Sequence, residues 1–326
     1  MKRNAYMLTA LSLVLAVCVL LGFTTVARAE YPDKPIKLTV SYNPGGATDF
    51  QARIVTMMSQ KYLGQPIVII NKPGAGGLVG WNWFVTDALK DGYDLVAYNM
   101  PHFIAQSIVF PKKAKYNIRN MEPIANWGAD PAVLVVPKDS PFNSVKDLVD
   151  YAKKNPGKVT FSGAGKFVGH HIALLQLEKA AGIKTTYVPH TGGVPALIAV
   201  IGGEVMAGFN NTSDAFRSKD RLKILAVADL ERNSFVPDVP TIKEAGYDVD
   251  DTSNNFRGVA APQGTPPAVI QKLADTFVKM YKAKQVTGKM EQTGCGIKVI
   301  PRDQLKEVWK KREAYLKEVL KELVQE

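Results

Sequence analysis

The sequence has little cysteine: only two residues in a chain of 326. Cys18 lies in a segment that we expect to be removed, so Cys295 would remain without a partner for a disulfide bond. This excludes an internal disulfide and a metal site built from several cysteines. The folded chain must therefore be stabilised by its hydrophobic core, and an apolar content of 46% is typical of soluble globular proteins.

Long hydrophobic runs are also scarce, since only residues 8–23 form one. Lys2 and Arg3 precede this run, and the small-x-small sequence Ala27-Arg28-Ala29 follows it. This pattern predicts a secretory signal peptide over residues 1–29, with cleavage before Glu30 and export of the mature protein. The alternative, a retained membrane anchor, is disfavoured because the run is shorter than the roughly 20 residues that a spanning helix needs.

Acidic residues are fewer than basic ones, which gives a net charge of +11. Removal of Lys2, Arg3 and Arg28 with the signal peptide lowers this charge from +11 to +8. A basic exported protein favours encounters with anionic ligands, although most of the lysines are explained by a solvated surface. Because no dense Lys/Arg tract with interleaved aromatics is present, we expect no nucleic-acid partner.

Catalytic motifs are missing as well. Neither G-x-S-x-G nor H-E-x-x-H occurs, which argues against a serine hydrolase or a zinc peptidase. His170 and His171 are adjacent on a predicted helix and would point to different faces, so we expect no metal there. The glycine run of residues 74–80 is close to a dinucleotide fingerprint, but an exported chain argues against a nicotinamide cofactor, and we expect none.

What the sequence has is a regular alternation of strand-like and helix-like segments, which predicts an α/β fold. The count of about ten strands favours two lobes, each a mostly parallel mixed sheet flanked by helices. Chain crossings are expected near Gly128–Pro131 and Asp250–Phe256. The predicted strands cover residues 36–42, 67–71, 94–99, 122–127, 132–137, 159–162, 185–188, 205–210, 222–228 and 257–261, and the predicted helices cover 49–63, 81–89, 144–154, 170–181, 194–201, 267–282 and 302–325.

Glycine-rich loops follow three of these strands, at residues 44–49, 73–80 and 162–169. A glycine loop that leads into a helix offers free N–H groups and the positive end of the helix dipole, which together favour anions. Ligands of such folds lie beyond the carboxyl ends of the strands. Asp49 in the first loop fits either a ligand contact or a helix-stabilising residue, and Asn210–Asp214 fits either a ligand contact or a turn.

Several segments in a fixed order resemble one known family. These are YPDKPIKLTVSYNPGGATDFQAR, LGQPIVIINKPGAGGLVGW, YVPHTGGVPALIAVIGGEV and RGVAAPQGTPPAVIQKL. They resemble the substrate-binding proteins of tripartite tricarboxylate transporters, also called the Bug family. The resemblance extends over nearly the whole mature chain.

The resemblance implies a two-lobed periplasmic-binding-protein fold, type II-like, in which two crossing segments form the hinge. Lobe 1 would comprise residues 30–128 and 250–326, and lobe 2 residues 129–249. The implied function is not enzymatic: a periplasmic protein, expected to be a monomer, captures a small di-, tri- or aromatic carboxylate in the cleft. It would deliver this ligand to membrane permease subunits of a tripartite transporter. Two alternatives remain open at this point, a sensor or scaffold that signals to a membrane receptor and an exported hydrolase that uses His170 or His171.

The resemblance also implies which residues bind the ligand, chiefly through backbone groups of the first loop and of the loop after residue 161. The expected ligand-binding residues are Tyr42, Gly45, Gly46, Ala47, Thr48, Asp49, Asn99, Ser162, Gly163, Ala164, Gly165, Lys166, Phe167, His190, Thr191, Asn210, Asn211 and Asp214. Lys166 would be a charge partner of the anion. The family pattern is altered at Asn99–Phe103 and Lys166–Gly169, where Phe167 and Met100 suggest either an apolar ligand body or packing between the lobes.

Overall fold

A computed structural model describes residues 30–323, and the predicted signal peptide lies outside these residues. Eleven strands are found in the described part of the chain. The strands are β1 Ile36–Val40, β2 Ile67–Asn71, β3 Asp94–Met100, β4 Met121–Asp130, β5 Ala132–Pro137, β6 Thr160–Gly163, β7 Thr186–Pro189, β8 Ala207–Asn211, β9 Leu222–Ala228, β10 Asn255–Pro262 and β11 Ile297–Pro301. The α-helices are α1 Ala47–Thr56, α2 Ser59–Leu63, α3 Leu78–Asp87, α4 His102–Val109, α5 Val145–Lys154, α6 Gly169–Ala181, α7 Gly193–Ile201, α8 Thr212–Arg217, α9 Pro267–Tyr281, α10 Lys284–Gln292 and α11 Arg302–Leu323.

The strands form two mixed sheets, both within the compact unit that begins at Lys34. Sheet A has the order β11-β4-β10-β3-β1-β2, and sheet B has the order β7-β6-β8-β5-β9. In sheet A, β1, β2 and β3 are parallel, whereas β10 runs antiparallel to β3 and β4. In sheet B, β6 is parallel to β7 and β8, and β5 is antiparallel to β8 and β9. The predicted α/β class with two mixed sheets is confirmed.

The chain changes sheet at two neighbouring points. Strand β4 ends at Asp130 in sheet A, and β5 begins at Ala132 in sheet B. On the return, β9 ends at Ala228 and β10 begins at Asn255, which pairs with Asp130. Both changes lie in or next to the segments where crossings were expected. The division into lobes at residues 128 and 250 stays a prediction.

Local sequence explains most element boundaries. Ser144 caps α5 by accepting a hydrogen bond from the Asp147 N–H, and the Asp147 carboxylate completes the capping box. The helix predicted over residues 49–63 is instead two helices, because the chain leaves helical hydrogen bonding at Met57 and Met58. Helices α4, α8 and α10 and strand β11 were not predicted.

Large apolar side chains fix the position of the last helix on sheet A. Trp309 of α11 is buried and packs edge-on against Tyr98 at 4.9 Å and against Phe103 at 4.8 Å between ring centroids. Since Leu305, Leu316 and Leu320 are buried on the same helix, the apolar stripe of α11 belongs to the core. Within residues 30–323, no helix combines the length and the apolar character needed to span a membrane.

Candidate ligand-binding site

A narrow cavity lies where strand ends of both sheets meet, with about 20 Å³ of space that a water molecule can enter. The carboxyl ends of β1, β3, β6 and β8 lead into it, as expected for ligand sites of open α/β sheets. Its lining residues are Tyr42, Asn43, Gly46, Ala47, Thr48, Asn99, His102, Ala164, His170, Gly192, Gly193, Val194, Asn211, Asn255 and Arg257.

Arg257 of β10 is the charged residue of this lining, and its side chain is completely buried. Its Nη1 donates to Asp130 Oδ2 at 2.7 Å, and its Nη2 donates to Asn211 Oδ1 at 2.7 Å. Its Nε donates to Thr48 Oγ1 at 3.2 Å. A guanidinium carries five N–H groups, so these three bonds leave two that have no partner among the described residues.

Asp130 holds this guanidinium in place. Besides Arg257, it accepts hydrogen bonds from the Ser213 N–H at 3.0 Å and from Gln51 Nε2 at 3.1 Å. Gln51 is itself oriented by Trp127, whose Nε1 donates to Gln51 Oε1 at 3.1 Å. A buried ion pair is stable only when its remaining donors and acceptors are satisfied, and this one is well satisfied on the acid side. The N–H groups that can still bind a ligand therefore belong to Arg257.

Two helix N-termini border the cavity, one on the side of sheet A and one on the side of sheet B. Helix α1 begins after Gly46 and helix α7 after Gly192, and neither of these caps uses a side chain. The first helical hydrogen bond of α1 joins the Phe50 N–H to the Gly46 carbonyl, so the preceding helical N–H groups have no helical acceptor. Free N–H groups with the positive end of the dipole stabilise an anion.

Thr48 adds a hydroxyl donor to this wall. Its Oγ1 already accepts from Asn99 Nδ2 at 2.8 Å and from Arg257 Nε at 3.2 Å. Since a hydroxyl has two acceptor lone pairs and one donor hydrogen, the hydrogen of Thr48 is available to another acceptor. The wall formed by Thr48, Arg257 and the N-terminus of α1 thus consists of donors.

His102 and His170 face each other with ring centroids 6.5 Å apart. Burial lowers the pKa of His170 to about 4, although the neighbouring Asn211 acts in the opposite direction. Burial also lowers the pKa of His102 well below its ordinary value, and His170 and Arg257 lower it further. Both rings are therefore neutral at neutral pH. His170 Nδ1 accepts from the Ala164 N–H at 3.2 Å, which places the proton of the neutral ring on Nε2 as a further donor.

Contacts between the two sides of the cavity keep it nearly closed. Gln106 Nε2 donates to the Lys166 carbonyl at 3.0 Å, and Asn43 Nδ2 donates to Thr191 Oγ1 at 3.4 Å. Gly165 lies so close to Gly76 that a Cβ atom would stand 2.8 Å from the Gly76 Cα. A glycine is therefore required at position 165, where φ is also +132°.

The sequence matches a known family. A model described as "Tripartite tricarboxylate transporter family receptor" matches residues 51–323. The chain belongs to this family. It is 33% identical to a UPF0065 protein of the gbd 5′ region of Cupriavidus necator, over 77% of this chain and 75% of that protein.

Solved structures of the receptor family and of other binding proteins share the fold. The periplasmic binding protein BugD superposes with a TM-score of 0.81 at 27% identity, covering 90% of this chain and 98% of BugD. MatC from Rhodopseudomonas palustris, solved with bound malate, superposes with a TM-score of 0.81 at 26% identity, covering 89% of this chain and all of MatC. These likenesses confirm the predicted two-lobed binding-protein fold and the Bug-family resemblance.

Seven of the residues expected from the sequence line the cavity of this receptor-family chain: Tyr42, Gly46, Ala47, Thr48, Asn99, Ala164 and Asn211. Their role as ligand contacts stays a prediction. The structure thus brings together the first loop, the end of β3, the end of β6 and the end of β8, as the strand-end rule leads one to expect.

Other expected residues lie beside the cavity with their side chains already engaged. The Gly45 N–H donates to Asp49 Oδ2 at 2.9 Å. Ser162 Oγ donates to the Ala196 carbonyl at 2.8 Å, so this hydroxyl is used in joining strand β6 to helix α7. A Cβ atom at Gly163 would stand 2.4 Å from the Tyr187 hydroxyl, which makes this glycine a packing requirement.

The remaining expected residues are likewise outside the lining. Lys166 is exposed, and Phe167 packs against Phe110 and His171 at centroid distances of 5.3 and 5.0 Å. Asn210 Nδ2 donates to the Gly193 carbonyl at 3.0 Å, and Asp214 accepts from Asn211 and pairs with Arg217. The others in this group are Gly165, which closes against Gly76, His190, whose N–H donates to the Gly163 carbonyl, and Thr191, which accepts from Asn43.

Sequence reasoning missed Arg257 and Asn255 altogether. Arg257 begins the strand predicted over residues 257–261, and Asn255 precedes it. An arginine in a strand is expected to be exposed unless a distant acid is known to face it. His170 had been considered only beside its neighbour His171, for a metal site or an exported hydrolase, and His102 had been given no role. The rings of His102 and His170 meet because helix α4 contacts helix α6, and no local sequence pattern predicts that contact.

Proposed function

We propose that this protein captures a small organic carboxylate in the periplasm and delivers it to membrane subunits of a tripartite transporter. The observation that carries the proposal is the buried Arg257 with two uncommitted N–H groups, placed between the free N-termini of α1 and α7. A carboxylate accepts two parallel N–H bonds from a guanidinium, and such charge-assisted bonds are the stronger ones.

The lining of the cavity favours an aliphatic acid. Phe167 is engaged with Phe110 and His171, and Met100 is buried outside the lining, so neither offers an apolar platform. This supports an aliphatic rather than an aromatic acid, in keeping with the malate bound by MatC.

Isothermal titration calorimetry on the mature chain from Glu30 tests the binding part. The panel contains succinate, malate, adipate, citrate and benzoate, with dimethyl succinate as a neutral control. We expect one-to-one binding of at least one aliphatic acid and none of the diester, because the site offers charge-assisted donors. An absence of binding across the acids, or equal binding of the diester, would contradict the proposal.

Localisation and delivery need separate experiments. Fractionation of cells that express the full chain should place a shortened protein, beginning at Glu30, in the periplasmic fraction. Uptake of the identified acid should require both this chain and a cognate permease. Uptake that is unchanged when this chain is deleted would contradict delivery while leaving the binding result intact.

A further inference from the structure

We propose that the ligand must carry a hydrogen-bond donor beside its carboxylate, as hydroxy and amino acids do, and that Asn99 selects for this donor. The inference deepens the proposed function and rests on it. It starts from a polar atom that the fold leaves unsatisfied: Asn99 is fully buried and lines the cavity, and its Oδ1 has no hydrogen-bond partner.

The orientation of the Asn99 amide is set by charged groups through two other asparagines. Asn211 is fixed first, since its Oδ1 accepts from Arg257 Nη2 at 2.7 Å and its Nδ2 donates to Asp214 Oδ2 at 3.0 Å. A permanently charged guanidinium only donates, so the contact with Arg257 identifies the carbonyl end of Asn211.

Asn211 in turn orients Asn255, whose Nδ2 donates to Asn211 Oδ1 at 3.4 Å. The carbonyl end of Asn255 then accepts from Asn99 Nδ2 at 3.2 Å. Asn99 Nδ2 also donates to Thr48 Oγ1 at 2.8 Å. A flip of the Asn99 amide would set its carbonyl oxygen against that of Asn255, so the relay holds Asn99 Oδ1 at the position without a partner.

An amide oxygen can only accept. This distinguishes Asn99 from Arg257, Thr48 and His170, whose available groups are donors. A buried acceptor without a donor loses its hydration and gains nothing in exchange. A ligand hydroxyl or amine restores the missing bond, whereas a plain dicarboxylate brings only more acceptors. Sites built to hydrogen-bond a ligand group reject the analogue that lacks this group by large factors.

Neighbouring His102 is consistent with this assignment. It follows the same strand, β3, and its Nδ1 is also buried without a partner. One side of the cavity, formed from α1, α6 and β10, therefore offers hydrogen-bond donors. The other side, at the end of β3, has buried polar atoms without hydrogen-bond partners. A ligand with an ionised carboxylate and an adjacent donor group matches both sides.

The test is calorimetry with matched pairs of acids that differ by one hydroxyl: succinate with each malate enantiomer, glutarate with 2-hydroxyglutarate, and propionate with lactate. In the pair that binds, we expect the hydroxylated acid to bind at least about tenfold more tightly. In Asn99→Leu this ratio should fall towards one, mainly through loss of affinity for the hydroxylated acid.

Asn254→Leu is the control, because Asn254 is a second buried asparagine with an unpaired Oδ1 but lies outside the cavity lining. We expect it to keep the wild-type ratio. Equal affinities within the pairs in the wild-type chain, or an unchanged ratio in Asn99→Leu, would overturn the selection by Asn99 and leave the proposed function standing. Binding of no acid at all would overturn both.

Discussion

Among the buried aspartates that pair with arginines, Asp49 and Asp130 differ in how far along the chain their partners lie. Asp49 and Arg53 are four residues apart on α1, and Arg53 remains about half exposed. Asp130 and Arg257 are 127 residues apart, and both side chains are essentially unexposed. The first pair is therefore local in sequence and partly exposed to solvent, whereas the second is long-range in sequence and buried.

The two pairs also differ in what they leave free. The Asp49 carboxylate accepts from Arg53 Nε and Nη2 at 3.0 and 2.9 Å, from the Gly45 N–H at 2.9 Å and from Asn71 Nδ2 at 2.9 Å. These four hydrogen bonds hold the first loop, so the Asp49 carboxylate has no acceptor position left for a ligand. In the other pair the acid is saturated and the arginine is not, and of these four residues Arg257 alone lines the cavity.

Replacing Arg257 should produce the largest effect. Arg257→Gln removes the charge and leaves Asp130 buried without its cation, which costs about 3–5 kcal/mol of unfolding free energy. We expect affinity for the acid to fall at least about 100-fold, because a charge-assisted bidentate contact is lost. Urea denaturation and calorimetry measure the two effects.

The double variant Arg257→Gln with Asp130→Asn separates them. It removes both charges, so we expect most of the stability to return while binding stays weak. Recovery of tight binding in this neutral pair would show that Arg257 acts only as a structural partner of Asp130.

His170 should make the stability depend on pH. Its pKa is about 4 in the folded chain, lowered chiefly by burial, against an ordinary value of 6.5. Between these values the unfolded chain binds the proton more readily, so unfolding free energy falls as pH decreases from 6.5 to 4, by up to about 3 kcal/mol. Above pH 6.5 this contribution should be constant.

His170→Gln is expected to remove this part of the slope in denaturation series run at several pH values. Saturating acid should flatten it in the wild-type chain, since a bound anion raises the pKa of a neighbouring imidazole. A slope identical in wild type and His170→Gln would contradict the assignment.

Replacing Asp49 should have a smaller effect on binding than replacing Arg257. Asp49→Ala removes four hydrogen bonds that order the first loop and should cost about 1–3 kcal/mol of stability. We expect affinity to fall less than about tenfold, because the effect reaches the ligand only through the loop. An affinity loss as large as that of Arg257→Gln would remove the distinction between the two pairs.

The smallest effect is expected at Lys166, which is exposed and outside the cavity lining. Lys166→Ala should change affinity by less than about threefold at 0.15 M salt, where exposed charges are largely screened. Stopped-flow association rates at low salt should fall slightly if the lysine contributes to steering. A loss above tenfold at 0.15 M salt would show that Lys166 contacts the ligand.

Features that depend on short sequence separations could be predicted. The strands of sheet A before residue 100, the start of helix α5 near residue 144 and the first glycine loop all follow from local patterns, and the two lobes follow from the count of strands. The site required more. Arg257 meets Thr48, Asp130 and Asn211 only because β10 returns antiparallel between β3 and β4, and β8 ends opposite that point. The sequence left two interpretations of Asp49 open, and its bond to Asn71 could not be predicted because Asn71 comes from another strand.

The most direct test of the account is a crystal structure of the mature protein with the tightest-binding acid. The account predicts a ligand carboxylate within hydrogen-bond distance of the Arg257 guanidinium, with further bonds from Thr48 or the N-terminal N–H groups of α1. A carboxylate bound elsewhere, with Arg257 still contacting only Asp130, Asn211 and Thr48, would contradict it.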